Sequence, residues 1–181
     1  MQRIIIITLV LLMTGSAWAV TDISVGVYGG LNQPVAQEDA RSGGGFGIKA
    51  KVSPIPFLAG AVFYESRTYR KAEITEMNTT MTSDGGKVTV FGLEALVGSA
   101  GGGSGPHFYW SLGVESYKWK RDIYPDLNKV GYSLGPGLEI ELPANIGVEA
   151  RAKFEIVPTG GGGSRKNALV FVGANYHFGI M

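Results

Sequence analysis

Residues 146–157 alternate strictly between apolar and polar side chains, which predicts a β-strand with two chemically different faces. The segment reads IGVEARAKFEIV. Because successive side chains of a strand point to opposite sides, its charged residues share one face and its apolar residues share the other. The charged residues are Glu149, Arg151, Lys153 and Glu155. The strand therefore carries charges of both signs on one face and none on the opposite face.

The same two-residue period recurs along the chain and predicts eight strands in all. In the second strand, for example, Lys49 and Lys51 share the polar face. The predicted strands span residues 22–31, 45–52, 57–69, 87–98, 107–121, 130–142, 146–157 and 167–178. Predicted long loops at 32–44, 70–86, 122–129 and 158–166 alternate with shorter connections at 53–56, 99–106 and 143–145, of which 99–106 is longer than a tight turn.

Two local features modify this pattern. The glycine tracts at 101–103 and 160–163 are predicted to be flexible loops, because neither lies in a strand-to-helix unit or carries the lysine of a phosphate-binding loop. Pro136 lies on the apolar parity of the sixth strand and removes one backbone donor there. We therefore expect a bulge or kink at this proline.

The N-terminus has the composition of a secretory signal peptide. A cationic start with Arg3 precedes the apolar run 4–13, and Ala17 and Ala19 provide a small-x-small cleavage site. The apolar run is far shorter than the roughly 20 residues that a membrane-spanning helix needs. We therefore expect residues 1–19 to be removed and residues 20–181 to form one barrel domain.

Composition excludes several classes of function. The chain has 28 glycines among 181 residues, and 17% of its residues are charged. It has no cysteine, so no disulfide framework, thiolate zinc site or cysteine nucleophile is available. The formal net charge of +1 argues against a nucleic-acid partner, since neutralising phosphates requires clustered lysine and arginine.

Alternation by itself allows either a soluble, lipocalin-like barrel with its apolar face inside or a membrane barrel with that face outside. Glycine on the polar parity favours the membrane barrel, because it leaves room for long charged side chains in a narrow lumen. Aromatic residues on the apolar parity also gather near the strand ends, as two interfacial girdles require. One group comprises Phe57, Phe108, Trp110, Tyr176 and Phe178, and the other Phe46, Phe91, Tyr132 and Phe154. The sequence therefore predicts an all-β fold, an eight-stranded antiparallel up-and-down transmembrane β-barrel.

The predicted signal peptide, the eight alternating strands and the terminal Tyr176-His177-Phe178 resemble the small eight-stranded outer-membrane proteins of the OmpX and OmpA-barrel type. The resemblance covers essentially all of the mature chain. It implies a bacterial outer membrane, insertion by the outer-membrane assembly machinery reading Tyr176 and Phe178, and an ion-paired plug in place of an open channel. Members of this family usually end on their last aromatic residue, whereas Gly179-Ile180-Met181 follows here.

The polar parity also predicts a network of ion pairs inside the barrel. Buried charges in such numbers must be paired, because an unpaired buried charge is too costly. We therefore interpret the network as structural, with a proton or cation path as the alternative. Its predicted members are Lys49, Lys51, Glu65, Arg67, Glu94, Glu115, Glu139, Glu141, Glu149, Arg151, Lys153 and Glu155.

Candidate catalytic residues are few. Ser24 and His177 lie close together where the barrel closes, and outer-membrane lipid deacylases use serine and histidine on this architecture. Such an enzyme needs its site toward lipid, whereas His177 has the lumen parity, so we expect no catalytic residue. His107 has no evident ligand partner, and we expect no metal and no cofactor.

The sequence therefore predicts a monomeric envelope protein in contact with outer-membrane lipid. Its role is structural or is exercised through outer loops that bind an unidentified surface partner, since loops carry specificity without a portable code. A narrow porin for small solutes is the main alternative. A lipid-modifying outer-membrane enzyme is the next.

Overall fold

Eight long strands form one closed antiparallel barrel in the computed structural model of the chain. The structure describes residues 22–35, 41–71, 73–76, 79–82, 85–99, 105–120, 126–160 and 163–179. Its strands are β1 (Asp22–Val35), β2 (Gly43–Ile55), β3 (Leu58–Tyr69), β4 (Glu73–Glu76), β5 (Thr79–Thr82), β6 (Gly86–Gly98), β7 (Pro106–Lys120), β8 (Leu127–Leu142), β9 (Ile146–Gly160) and β10 (Gly163–His177). Around the barrel the order is β1-β10-β9-β8-β7-β6-β3-β2, so each strand neighbours the next in the chain and β10 closes on β1. No helix in the described ranges is long and apolar enough to cross a membrane.

The predicted fold class is confirmed, and the predicted strands coincide with the eight barrel strands to within a few residues. The largest differences lie at the end with the long connections, where β1 runs on to Val35. Gly160 pairs with Gly163, so most of the predicted loop 158–166 belongs to β9 and β10. The predicted signal peptide at 1–19 and the glycine tract at 101–103 lie outside the described residues.

A small hairpin occupies the connection between β3 and β6, where the sequence pattern predicted only a loop. β4 and β5 pair from Glu73 opposite Thr82 to Glu76 opposite Thr79, as a two-stranded sheet separate from the barrel. The segment is rich in β-branched threonine, which favours strands, but each strand has only four residues. Four residues are too few for a two-residue period to stand out from a loop, so the loop prediction was wrong here.

The expected bulge at Pro136 is absent. β8 pairs with β9 at Leu134 opposite Phe154 and again at Gly137 opposite Arg151, so the register is the same on both sides of the proline. The pairing is interrupted between these points because proline has no backbone N–H to donate. The proline therefore weakens one stretch of the β8–β9 ladder without inserting a residue.

The two faces of the barrel wall are oriented as predicted for a membrane barrel, with the apolar face outside and the polar face inside. Val172 is 62% exposed on the outer surface, whereas the neighbouring Phe171 is 2% exposed and points into the lumen. The same alternation continues along β7, from Pro106 to Lys120. Apolar side chains therefore cover the outside of the barrel, and the charged side chains of the predicted network lie inside it.

We expect a charge on this outer face to impair barrel assembly. Leu112 lies in the middle of β7, 52% exposed, between Ala95 on β6 and Leu134 on β8. Leu112→Arg should destabilise the folded barrel in lipid by about 2–4 kcal/mol if the residue lies near the bilayer midplane. Urea-induced unfolding in phospholipid vesicles, followed by circular dichroism, measures this cost.

The matched control is Leu112→Ala, which shortens the same side chain without adding charge. It should cost much less than the arginine variant. Equal stability of Leu112→Arg and the wild type would place this face away from lipid and contradict the membrane orientation.

Candidate functional site: the ion-paired lumen

Barrel closure brings the polar faces of all eight strands around one narrow interior. A barrel of eight strands has an interior just wide enough to be filled by its own side chains. The predicted charged residues therefore meet across the lumen, in layers that run from one mouth of the barrel to the other.

The layer nearer the long connections is built around Arg67 of β3 and Lys153 of β9. Arg67 Nη1 donates to Glu155 Oε2 at 2.7 Å, and the same guanidinium pairs with Glu65, two residues earlier on β3. Lys153 Nζ lies 2.9 Å from Glu115 Oε1 and 3.3 Å from Glu155 Oε1. The five side chains are buried, so each charge is compensated by its neighbours rather than by water.

Arg151 forms the middle of the network. Its Nη1 donates to Glu94 Oε2, and its guanidinium carbon lies 5.1 Å from the centre of the Tyr28 ring and 5.7 Å from that of Phe171. Cation–π contacts of this kind strengthen when the cation is desolvated. Lys153 Nζ also lies 3.6 Å from Glu94 Oε1, which links this layer to the one above.

Two lysines of β2 continue the network toward the opposite mouth. Lys49 pairs with Glu149, which also accepts a hydrogen bond from the Tyr109 hydroxyl. Lys51 Nζ lies 2.7 Å from Glu139 Oε2. Lysines and glutamates that are about 90 to 100 positions apart in the sequence thus meet only because the barrel closes.

His177 lies at the mouth with the short connections, between two carboxylates. Its Nδ1 is 2.8 Å from Asp22 Oδ2 and its Nε2 is 3.0 Å from Glu139 Oε1. Ser24 is opposite His177 in the β1–β10 register, yet none of the described groups hydrogen-bonds with its hydroxyl. The histidine therefore belongs to the network and does not form the serine–histidine pair that the sequence suggested.

His107 has partners that the sequence did not reveal. Ser99 Oγ lies 2.9 Å from His107 Nδ1, and Glu141 Oε1 lies 3.8 Å from Nε2. Glu141 is also 3.7 Å from His177 Nδ1, and its side chain is 22% exposed. Unlike the other predicted members of the network, Glu141 therefore lies at the rim, where it faces both histidines and makes no pair with a lysine or arginine of the described chain.

Aromatic side chains close the end of the lumen with the long connections. The rings of Tyr69 and Trp119 are stacked with centroids 5.1 Å apart, and Trp119 Nε1 donates to Gly85 O at 3.2 Å. The Arg165 guanidinium carbon lies 4.3 Å from the centre of the Trp119 ring. These residues were missed by sequence reasoning, which took charge as the mark of the lumen, although Tyr69 and Trp119 have the lumen parity.

The lumen side chains form a network in which each buried charged group contacts an opposite charge or a hydrogen-bonding group. Hydroxyl and amide groups on the lumen parity complete the network, as Tyr28 does by donating to Glu65 Oε1 at 2.7 Å and Asn175 by donating to Glu139. In the described part of the chain, no group of three or more histidine or acidic side chains is arranged to hold a metal ion. These ion pairs and hydrogen bonds link strands on all sides of the lumen, although Arg151 Nε and Nη2 and Glu94 Oε1 have no hydrogen-bond partner among the described groups.

We expect the Arg151–Glu94 pair to show strong coupling in a double-mutant cycle. Arg151→Met should destabilise the barrel by about 3–5 kcal/mol, because it leaves the buried Glu94 carboxylate with only the more distant Lys153, at 3.6 Å, as a counter-charge. The double variant Arg151→Met/Glu94→Gln should cost clearly less than the sum of the single changes. Urea unfolding in lipid vesicles measures each term.

Asp126→Asn is the control, because Asp126 is an exposed carboxylate at the start of β8 and its change should alter stability by less than about 0.5 kcal/mol. Additive costs for Arg151 and Glu94 would mean that the two side chains do not depend on each other.

The sequence matches no known protein family and no curated protein sequence. Its structure is nevertheless similar to solved barrels. Neisserial surface protein A (NspA) matches with a TM-score of 0.66 and 16% identity, over 86% of this chain and 97% of that chain. OprG from Pseudomonas aeruginosa matches with a TM-score of 0.62 and 10% identity, over 90% and 98%. Ail of Yersinia pestis matches with a TM-score of 0.54 and 16% identity, over 87% and 97%. The chain therefore has the fold of the small eight-stranded outer-membrane β-barrels.

Proposed function

We propose that this chain is a monomeric protein of the bacterial outer membrane, with a closed barrel that serves as a scaffold for its extracellular loops. The observation that carries the proposal is the distribution of charge. Arg67, Arg151 and Lys153 are buried with their carboxylate partners inside the barrel, while the outer face is apolar. In water this arrangement would expose a large apolar surface and hide the polar one, whereas in lipid both faces are matched to their surroundings.

Export and assembly follow from residues at the two ends of the chain. We propose that residues 1–19 are removed, with cleavage near Ala19, and that residues 20–181 form the barrel domain. The assembly machinery then reads the last strand through Tyr176 and Phe178. These two rings are exposed on the outer wall and contact each other edge to face, with centroids 5.2 Å apart.

The packed lumen favours a scaffold over the porin alternative. A conducting path needs continuous water along the axis, but the interior is crossed by ion pairs at three levels and by the stacked Tyr69 and Trp119 at one end. Moving the Arg151 or Lys153 side chain aside would separate buried charges, which is costly. We propose that the network is structural.

A surface role is supported by the end of the barrel with the long connections. There the β4–β5 hairpin, in the connection between β3 and β6, forms a sheet of its own. Ail, which has the same fold, has been crystallised in complex with the heparin analogue sucrose octasulfate. We propose that the loops of this chain likewise contact a partner outside the cell, and that neither a pore nor a lipid-modifying reaction is their function.

The folded protein should give no steady single-channel current in planar bilayers, because the lumen is filled by its own side chains. Insertion is checked first: the barrel should migrate differently on gels before and after boiling and show a β-type circular dichroism spectrum. A wide porin in the same bilayers serves as the positive control.

A steady, ion-selective current whose preference changes in Lys49→Gln/Lys51→Gln would establish the porin alternative. Altered masses of lipid A from cells that express the protein would establish the lipid-modifying enzyme.

Removing residues 73–82 should abolish binding of a surface partner while leaving the barrel intact, because the hairpin shares no sheet with the barrel strands. Adhesion of cells that express the full chain is compared with that of cells that express the shortened chain and of cells that lack the protein. The heat-dependent gel shift confirms that both forms fold. Equal adhesion by both expressing strains would exclude the hairpin from the contact.

A further inference from the structure

Three lysines form a basic patch on the outer wall of the barrel, at the end with the long connections. We call Lys87 of β6 and Lys118 and Lys120 of β7 the basic patch. Lys87 and Lys120 are direct partners in the β6–β7 register, and Lys118 lies one outward position further down β7, opposite Thr89. The three side chains are exposed and point away from the lumen. They therefore play no part in the ion-pair network.

No acid in the described chain forms a salt bridge with the basic patch. The exposed Asp126, which directly precedes β8, makes no ion pair with Lys118 or Lys120. The flanking outward positions on β3 and β6 carry hydroxyl groups, with Thr68 opposite Lys87 and Thr89 opposite Lys118, and on β8 Asn128 is opposite Lys118. The cluster thus offers three like charges whose repulsion an external anion would relieve.

The apolar belt begins directly below the basic patch, on the same two strands. Phe91 of β6 and Val114 of β7 are both outward and about half exposed, and Ser116 is the register partner of Phe91. The outward apolar run covers 91–97 on β6 and 108–114 on β7, but 130–142 on β8. At the patch end the belt stops one outward position earlier on β7 than on β8, since Val130 is opposite Ser116 and Asn128 is opposite Lys118.

We infer that the basic patch binds the phosphate groups of an anionic lipid whose acyl chains lie along the apolar wall of β6 and β7. The inference rests on the proposed function, since it requires a membrane around the barrel with the long connections outside. Lysine ammonium groups near a membrane surface attract anionic headgroups, and their aliphatic stems can lie on the apolar surface beneath them. The occupant is a lipid of the outer leaflet, the leaflet on the side of the long connections.

The position of the patch favours a lipid over a soluble polyanion. A soluble ligand approaches the loops from above, whereas Lys118 and Thr89 face sideways from barrel strands, toward the plane of the bilayer. The headgroup and the acyl chains would contact one continuous surface, from Lys118 through Ser116 to Val114. A ligand without acyl chains can use only the upper half of this surface.

The opposite side of the barrel provides a matched control. Lys166 of β10 is exposed on the same parity as the outward residues of its strand and lies at the same end of the barrel. β10 is four strands away from β6 around the barrel. Lys166→Gln therefore removes one charge from this end without touching the basic patch.

The test measures lipid binding to the full chain folded in micelles of an uncharged detergent. Native mass spectrometry counts bound lipid over a concentration series of lipid A carrying both phosphates, lipid A with its phosphates removed, and phosphatidylcholine. The wild type should bind phosphorylated lipid A most tightly. The triple variant Lys87→Gln/Lys118→Gln/Lys120→Gln should lose roughly fivefold in affinity per lysine, or about 100-fold in all. The triple arginine variant should retain binding.

Lys166→Gln should stay within about twofold of the wild type, because one charge outside the patch contributes at most weakly. Equal binding of lipid A with and without phosphates, or unchanged affinity in the triple glutamine variant, would overturn the inference. So would displacement of the lipid by a soluble polysulfated saccharide, which would assign the patch to a soluble polyanion. The heat-dependent gel shift distinguishes failure of the proposed function from failure of the lipid site. A wild type that shows no gel shift would contradict both the membrane barrel and the lipid site. A wild type that shows the shift but binds lipid A equally with and without phosphates would contradict the lipid site alone.

Discussion

The structure depends on the compensation of buried charge in a space that only its own side chains can fill. Burying an ion is expensive, and its partner must lie in good geometry to offset that cost. Lys153 meets this requirement with carboxylates from three other strands, since Glu65, Glu94 and Glu115 all lie within 3.6 Å of its ammonium group. A strand that slipped by one residue would turn its charges toward the outside and leave these partners unpaired. The network therefore selects one register for the barrel.

The same constraint supports the proposed location of function away from the barrel axis. Opening the lumen for a solute would separate its buried ion pairs, which is costly. Even His177, the most reactive type of side chain in the lumen, is bonded to Asp22 and Glu139. What remains accessible is the outer wall and the loops. The β4–β5 hairpin and the basic patch both lie at the end with the long connections, so the two proposed contacts would be made at the same end of the barrel.

The barrel also shows how one alternating sequence pattern produces an apolar outer wall and a polar lumen. On β7, Leu112 is 52% exposed on the outer wall and its neighbour Ser111 is fully buried, so adjacent residues face the outside of the barrel and the lumen. Glycines keep the lumen wide enough where long side chains cross it. At Gly92 a Cβ atom would come within 2.5 Å of the Phe63 ring, and at Gly137 it would overlap the ring of Tyr109. Aromatic bulk and charge share the interior because these positions carry no side chain.

The fold class, the eight barrel strands and the parity of every predicted lumen residue follow from the sequence alone, because a period of two needs only local geometry. The sequence also identified most of the buried charges, although it missed Asp22 and placed the rim residue Glu141 among them, and it did not show which charges would meet. The partners of Lys49 and Lys51 lie 100 and 88 positions away, and barrel closure alone decides that they pair with Glu149 and Glu139. The bonds of His177 also depend on the tertiary structure. The β1–β10 register places Ser24 opposite His177, but the direction of the histidine side chain and the nearby carboxylates of Asp22 and Glu139 determine that it bonds with them and not with Ser24.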